Sequence, residues 1–264
     1  MAIQAHAREE IRQILTQSLR KKFQNYNPEP GVMPFHTRLL GEDRLALYSF
    51  IHSLNTNFGT SIFEPVAVSL AGSQFISAEK QQKSGTQISS EAHNAIQRIM
   101  DGLAVGDRLP NKPQEIEEIR SVCQSGEMVK VRPTRVDLKL VGTDGTTYLI
   151  DIKTAKPNAG EFKGYKRTML EWVAASLAMD PSASVHSLIA IPYNPYAPKP
   201  YERWTIRGML DLEHELKVAE GFWDFLAGPE SYESLLGVFE QVGIDMRFEI
   251  DKYFAKFRNV SDNE

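Results

Sequence analysis

The chain has 264 residues, with 30 Lys and Arg against 34 Asp and Glu, a formal net charge of −4, and 42% hydrophobic and 24% charged residues. This composition fits a soluble globular fold able to bury a sizeable interior; no apolar run is long enough to span a membrane, and the basic balance of a non-specific nucleic-acid binder is missing. The single cysteine, Cys123, excludes an intramolecular disulfide and a CxxC zinc site; it is read as structural and suits a reducing cytoplasm.

The opening MAIQAHAREEIRQIL carries acidic groups where a secretory signal needs a basic end and an unbroken apolar stretch, so no export is expected. Ile3, Ala7, Ile11, Ile14, Leu15 and Leu19 recur at helical spacing, and LRKKF places cations in the last turn of a helix ending near Gln24. After the Pro-rich NYNPEPGVMP, the segment EDRLALYSFIHSLNTNF reads as a second amphipathic helix. GTSIFEPVAVSLA reads as a third, starting or kinked at Glu64-Pro65. Residues 77–90 are polar and read as a loop. SSEAHNAIQRIMDGL offers serine caps for a short helix, and another is expected from Glu115 to Ser121.

The period then changes. VRPTRVDLKL and TTYLIDIKT alternate apolar and polar residues around TDG, which predicts a β-hairpin. KPNAGEFKGYKRTMLEWVAASLAMD reads as a loop and a helix, and SVHSLIAI as a strand, so hairpin, helix and strand form a crossover unit, expected to be right-handed. The fold class is therefore α/β, a mixed sheet flanked by helices. A Pro- and Tyr-rich loop, PYNPYAPKPYERW, follows, and ELKVAEGFWDFLAG, SYESLLGVFEQVG and IDMRFEIDKYFAKF read as closing helices. There is no internal repeat. The expected organisation is an N-terminal helical segment over 1–60, a core with the hairpin over 61–200, and a C-terminal helical segment over 201–264 packed on that core as one compact domain.

A three-residue turn at Thr143-Asp144-Gly145, with the glycine left-handed, fixes the hairpin register: Val136 faces Ile152, Leu138 faces Ile150 and Leu140 faces Tyr148. The other face then carries Arg135 opposite Lys153 and Asp137 opposite Asp151, with facing Cβ atoms ~4.5–5.5 Å apart. Two carboxylates held so close repel unless a proton or cation lies between them, and carboxylate oxygens are the ligands that Mg²⁺ prefers. Lys153, two residues beyond Asp151, can orient or deprotonate an attacking water or meet charge on a pentavalent phosphate. The alternative is an ordinary polar hairpin face kept solvated by alternating Asp and Lys. Against it, Arg135 facing Lys153 is a repulsive pair on a bland surface and a favourable one if phosphate approaches.

Asp137, then Asp151-Ile152-Lys153 on the next strand, then a basic helix, resembles the PD-(D/E)XK nuclease core, although Val136 stands where the leading proline is found. DIKTAKPNAGEFKGYKR, IPYNPYAPKPYERWT and ELKVAEGFWDFLAG look like the TdeIII-type restriction endonucleases, which belong to type II and recognise GGNCC; the likeness covers Val131 to Phe257. The resemblance implies a restriction-endonuclease-like core with additional helices at both ends, and Mg²⁺ held by Asp137, Asp151 and Ile152. It further implies a homodimer that cuts both strands of double-stranded DNA at a short symmetric site, with a cognate DNA methyltransferase protecting the host. FGTSIFEPVA looks like the first core helix of such enzymes, whose Glu supports the metal site. Glu64 is the match, and Glu91 competes for the role.

Lys156, Lys163, Lys166 and Arg167 form a basic cluster just beyond the active strand, read as phosphate contacts, while Phe162, Tyr165, Met169, Trp172, Val173 and Leu177 form the buried stripe of the same helix. A solvated helix face is the alternative. Base readers are sought among Lys156, Asn158 and Glu161 first, with Lys163, Glu202 and Arg203 behind them, since guanine is read by Arg or Lys and cytosine by an acceptor. Competing functions are a nuclease of the same fold acting in repair or junction resolution, a non-catalytic DNA-binding module, and an adaptor. The adaptor leaves the paired aspartates and the basic segment unexplained.

Overall fold

A computed structural model describes residues 3–26, 33–153, 161–202 and 208–258, without the side chains of residues 43, 56, 57, 257 and 258. The first helix forms as α1 (Ala5–Asn25), which buries Ala7, Ile11 and Leu15 on one stripe and leaves its charged side outside. A short α2 (Pro34–Leu40) starts on a proline, whose missing N–H costs nothing in a first turn. α3 (Glu42–Phe58) coincides with the expected second helix. The chain continues through one wide π-helical turn, Gly59–Phe63, into α4 (Glu64–Ala71), which places Pro65 in the first turn of α4.

Residues 77–90, expected as a loop, instead form the end of β1 (Phe75–Lys83) and β2 (Gln87–Ser89). β1 lies at the edge of the sheet and, among the described residues, pairs antiparallel with β4 (Arg135–Gly142) alone. Its Glu79, Lys80, Gln82 and Lys83 are the polar residues that discourage an edge from pairing with other chains, and they erase the apolar alternation that marks a strand in a sequence. α5 (Ser90–Val105) begins where Ser89 Oγ accepts the Ala92 N–H at 3.0 Å. α6 (Lys112–Arg120) follows, and β3 (Met128–Lys130) pairs with β2 as a separate two-stranded sheet.

The hairpin of β4 and β5 (Thr147–Ile152) has the expected register, with Leu138 facing Ile150 and Leu140 facing Tyr148. Gly145 takes φ 83°, its N–H reaches Gly142 O at 3.0 Å, and the Gly142 N–H returns to Thr146 O at 2.8 Å, which closes the three-residue turn. α7 (Phe162–Met179) then crosses to β6 (Val185–Ile191), parallel to β5. The start of ELKVAEGFWDFLAG is not helical but forms β7 (Leu216–Val218), parallel to β6, before α8 (Glu220–Ala227). α9 (Ser231–Asp245) and α10 (Arg247–Arg258) close the described chain. The five-stranded sheet is therefore mixed, in the order β1-β4-β5-β6-β7.

Both faces of this sheet are covered. Leu149, Val185, Ile189 and Ile191 pack with α5, α6 and α7, whereas Leu138, Leu140, Ile150, Leu188 and Ala190 pack with α1, α4, α8 and α9. Each Val, Leu or Ile among these contributes about 1.5–3 kcal/mol on burial, so the central strands are held by a core on either side. α7 approaches so closely that a Cβ on Gly85 would lie 2.8 Å from that of Ala175. No described helix is long and apolar enough to cross a membrane.

Candidate active site

The polar end of the hairpin is where the ladder stops. The last paired residues are Leu138 and Ile150; beyond them the Ile152 N–H donates to Asp137 Oδ2 at 2.9 Å, so the Asp137 side chain itself ties the two strands together. The facing pairs expected there, Val136 with Ile152 and Asp137 with Asp151, are not part of the hydrogen-bonded register. Val136 also turns to the α5–α7 core rather than the one that takes Leu138 and Leu140.

Asp151 is 7% exposed, and its carboxyl is pushed up to about 7. Burial is the main cause and the neighbouring Asp137 adds to it, while Lys153 opposes both. Lys153 Nζ lies 2.8 Å from Asp151 Oδ1 and 4.6 Å from the centroid of the Tyr165 ring. That ring is fixed from the helix side, because Tyr165 Oη donates to Glu161 Oε2 at 2.6 Å. The ammonium is thus held between a carboxylate and an aromatic face, which restricts where it can swing.

Glu64, in the first turn of α4, is 2% exposed. Burial raises its carboxyl above the ordinary range, although Gln81 draws it back. Gln81 Nε2 stands 2.9 Å from both Glu64 oxygens and 3.2 Å from Asp137 Oδ1, and Arg135 Nη1 donates to Gln81 Oε1 at 3.2 Å. The amide orientation is fixed from both ends, since guanidinium can only donate and ionised carboxylates only accept. Arg135, expected opposite Lys153, is instead the residue that orients Gln81. Gln81 takes φ 56°, a left-handed backbone unusual for a non-glycine residue inside a strand.

Of the two glutamates expected to compete, Glu64 is the one joined to Asp137 through Gln81. Glu91 sits in the first turn of α5, where it accepts from Asn94 Nδ2 at 3.3 Å. Gln81 and Tyr165 are additions to the residues expected from the sequence. The first was hidden in the segment read as a loop, the second in a stripe read as core.

The basic helix divides. Lys163 is exposed, and Arg167 is partly exposed with Nη2 2.6 Å from Gln97 Oε1. Lys166 corrects the expectation of a phosphate contact: it is fully buried, with Nζ 2.5 Å from Glu115 Oε2 and 2.6 Å from Glu215 Oε2. It lies four residues beyond Phe162 and four before Leu170, both buried, so the period that makes the core stripe includes it. Lys112 Nζ completes the group, 2.9 Å from Glu215 Oε1. Burial would raise Glu215, but Lys112 and Lys166 hold it below the ordinary range. Glu161 is exposed at the start of α7, bonded to Tyr165, and Glu202 is exposed. Lys156, Asn158 and Arg203 lie outside the described residues.

The donors at the end of β5 are all oxygen: the Asp137 and Asp151 carboxylates and the Ile152 carbonyl, with Glu64 behind Gln81. No group of three or more His, Cys, Asp or Glu side chains poised for a metal occurs among the described residues. Two carboxylates nonetheless fit a hard dication, because Mg²⁺ keeps several waters and takes one or two protein carboxylates plus phosphate oxygens. The buried, proton-prone Asp151 is the specific sign of fit, since a cation removes the penalty that raises it.

A family described as type II restriction endonuclease, HinfI, matches residues 3–243. The type II restriction enzyme MjaII of Methanocaldococcus jannaschii is 30% identical over 198 residues, which cover 71% of this chain and 52% of that protein, so the chain spans about half the length of this relative. The type II restriction enzymes HgiCII and HgiBI of Herpetosiphon aurantiacus are each 23% identical, over 83% of this chain and 80% of HgiCII, and over 90% and 89% for HgiBI.

Proposed function

Since the chain belongs to the HinfI family of type II restriction endonucleases, we propose that it is a site-specific deoxyribonuclease that makes Mg²⁺-dependent double-strand cuts in duplex DNA. The observation that carries this reading is the buried Asp151 beside Asp137, with Lys153 held 2.8 Å away at the end of one strand. Asp137, Asp151 and the Ile152 carbonyl would hold the cation. Bound there, it would polarise the phosphodiester, neutralise developing charge and lower the pKa of a water.

The chain's own groups do the rest. Lys153, steadied by Tyr165, orients the attacking water or meets charge on the phosphate as it becomes pentavalent. Asp151 holds Lys153 in place, and Asp137 joins the two strands so that both carboxylates present to the same point. Gln81, aimed by Arg135, keeps Glu64 and Asp137 at a fixed separation. Lys163 and Arg167 contact phosphates, and Lys156, Asn158, Glu161 and Arg203 are the candidates for reading bases.

The finer assignment is a TdeIII-type enzyme cutting at GGNCC, supported by the likeness of residues 131–257 to that type. With it come a homodimer, which presents one centre to each strand of a symmetric site, and a methyltransferase that marks the same site in the host. The place of action is the cytoplasm, where incoming DNA is met. Digestion of a sequenced plasmid by the purified protein with Mg²⁺, followed by mapping of the ends, tests all of this together. Fragments ending at GGNCC are the expected result; cutting only at branched or damaged DNA moves the chain to repair, and intact plasmid removes the catalytic reading.

A further inference from the structure

A cleft of about 970 Å³ opens on the surface between α1, α3, the π-helical turn and β1. Lys21, Lys22 and Lys80 line it, together with polar groups that include Asn25 and Thr60, and no carboxylate is among its described lining residues. In a chain of net charge −4 this is a local concentration of positive charge. Lys21 and Lys80 are exposed, whereas Lys22 is drawn into the wall, with Nζ 3.3 Å from Ser53 O and 4.9 Å from the centroid of the Tyr26 ring. The α1 lysines sit near the carboxyl end of the helix, where the helix dipole favours cations but offers an anion nothing, so the side chains alone must bind it.

The cleft adjoins the site already described. Pro65, on its wall, follows Glu64, and Lys80 precedes Gln81, the residue that joins Glu64 to Asp137. Sites for small organic ligands are enclosed and mostly apolar; this one is open, hydroxyl-rich and cationic, as a surface for a backbone of repeated phosphates would be.

We propose that this cleft binds the DNA backbone beside the scissile phosphate, with Lys21 and Lys80 as its phosphate contacts and Lys22 shaping its wall. The inference rests on the reading of duplex DNA as substrate. It adds a binding surface from the N-terminal helices and the edge strand, on elements other than the basic helix α7.

Fluorescence anisotropy of labelled duplexes, with Ca²⁺ replacing Mg²⁺, tests it on the full chain. K21A/K80A is expected to bind about tenfold or more weakly and to lower the slope of log affinity against log salt by about two units, one for each phosphate that a lysine no longer neutralises. The weakening should be equal on a GGNCC duplex and on an unrelated one, and K21R/K80R should restore binding. Thermal unfolding identical to wild type establishes that the variant is folded. If wild type binds duplex and K21A/K80A binds with the same affinity and slope, the cleft is not a DNA surface and the nuclease reading stands. If wild type binds no duplex at all, the substrate reading fails and this inference with it.

Discussion

Lys153 and Asp151 make opposite demands on their surroundings, and both can be measured. Lys153→Ala removes the ammonium held at the aspartate pair, so cleavage should fall by about 10² or more while duplex binding in Ca²⁺ survives. Single-turnover cleavage near the wild-type rate would reduce Lys153 to a surface charge. Asp151 has its carboxyl at about 7 when folded, far above the range of an unfolded aspartate, so the metal-free folded chain holds an extra proton between those limits. The stability this proton contributes is complete below roughly pH 4 and is lost as the pH rises through the folded value. In the presence of EDTA, Asp151→Asn should therefore be more stable than wild type at pH 8, by roughly 1–3 kcal/mol, and the difference should shrink at pH 5. Denaturant unfolding at the two pH values decides it; an equal difference at both would contradict the burial argument. Gln81→Ala removes the amide between Glu64 and Asp137 and should weaken Mg²⁺ activation, seen as a higher half-saturating Mg²⁺ concentration for cleavage. An unchanged Mg²⁺ titration would make Gln81 a packing residue.

At the scale of elements, α7 is held by charge as well as by apolar contact. Lys166 on α7, Lys112 and Glu115 on α6, and Glu215 just before β7 form a neutral buried quartet, and the Lys112 and Asp211 N–H groups donate to the Asp211 and Glu215 carboxylates at 3.0 and 2.9 Å. Removing one member leaves an uncompensated charge out of water, so Lys166→Met should cost about 3–5 kcal/mol, far more than truncating an exposed lysine. Lys163→Ala on the same helix should leave stability within about 0.5 kcal/mol and weaken duplex binding on all sequences alike. Chemical denaturation of the two variants side by side checks the contrast; equal stabilities would mean that the quartet contributes nothing. The quartet also anchors the turn of α7 that carries Tyr165, the ring against Lys153, so the buried ion pairs support the candidate site without touching it.

For the whole molecule, a sheet packed on both faces presents one candidate centre, at the end of β4 and β5, and the proposed double-strand cleavage of a symmetric site calls for two such centres. Sedimentation equilibrium of the protein with a GGNCC duplex in Ca²⁺ should give two chains per duplex. One chain per duplex, with nicked circles accumulating in Mg²⁺, would contradict the homodimer. What the sequence determined by itself was what is local. The hairpin was legible because alternation and the Thr143-Asp144-Gly145 turn act over neighbouring residues, and Gly145 takes the left-handed conformation the register needs. Helices such as α1, α3 and α5 were legible from their period and caps, as at Ser89, whereas the short α2 was not. Tertiary structure alone decided β1, because an edge strand is specified by a partner more than fifty residues on rather than by its own apolar pattern. It decided Gln81 for the same reason, and it decided Lys166, whose charge looked solvent-bound until two glutamates 51 and 49 residues away were brought to it. A sequence shows where a charge lies along the chain; whether that charge meets water, a phosphate or a buried carboxylate depends on which distant segments folding packs against it.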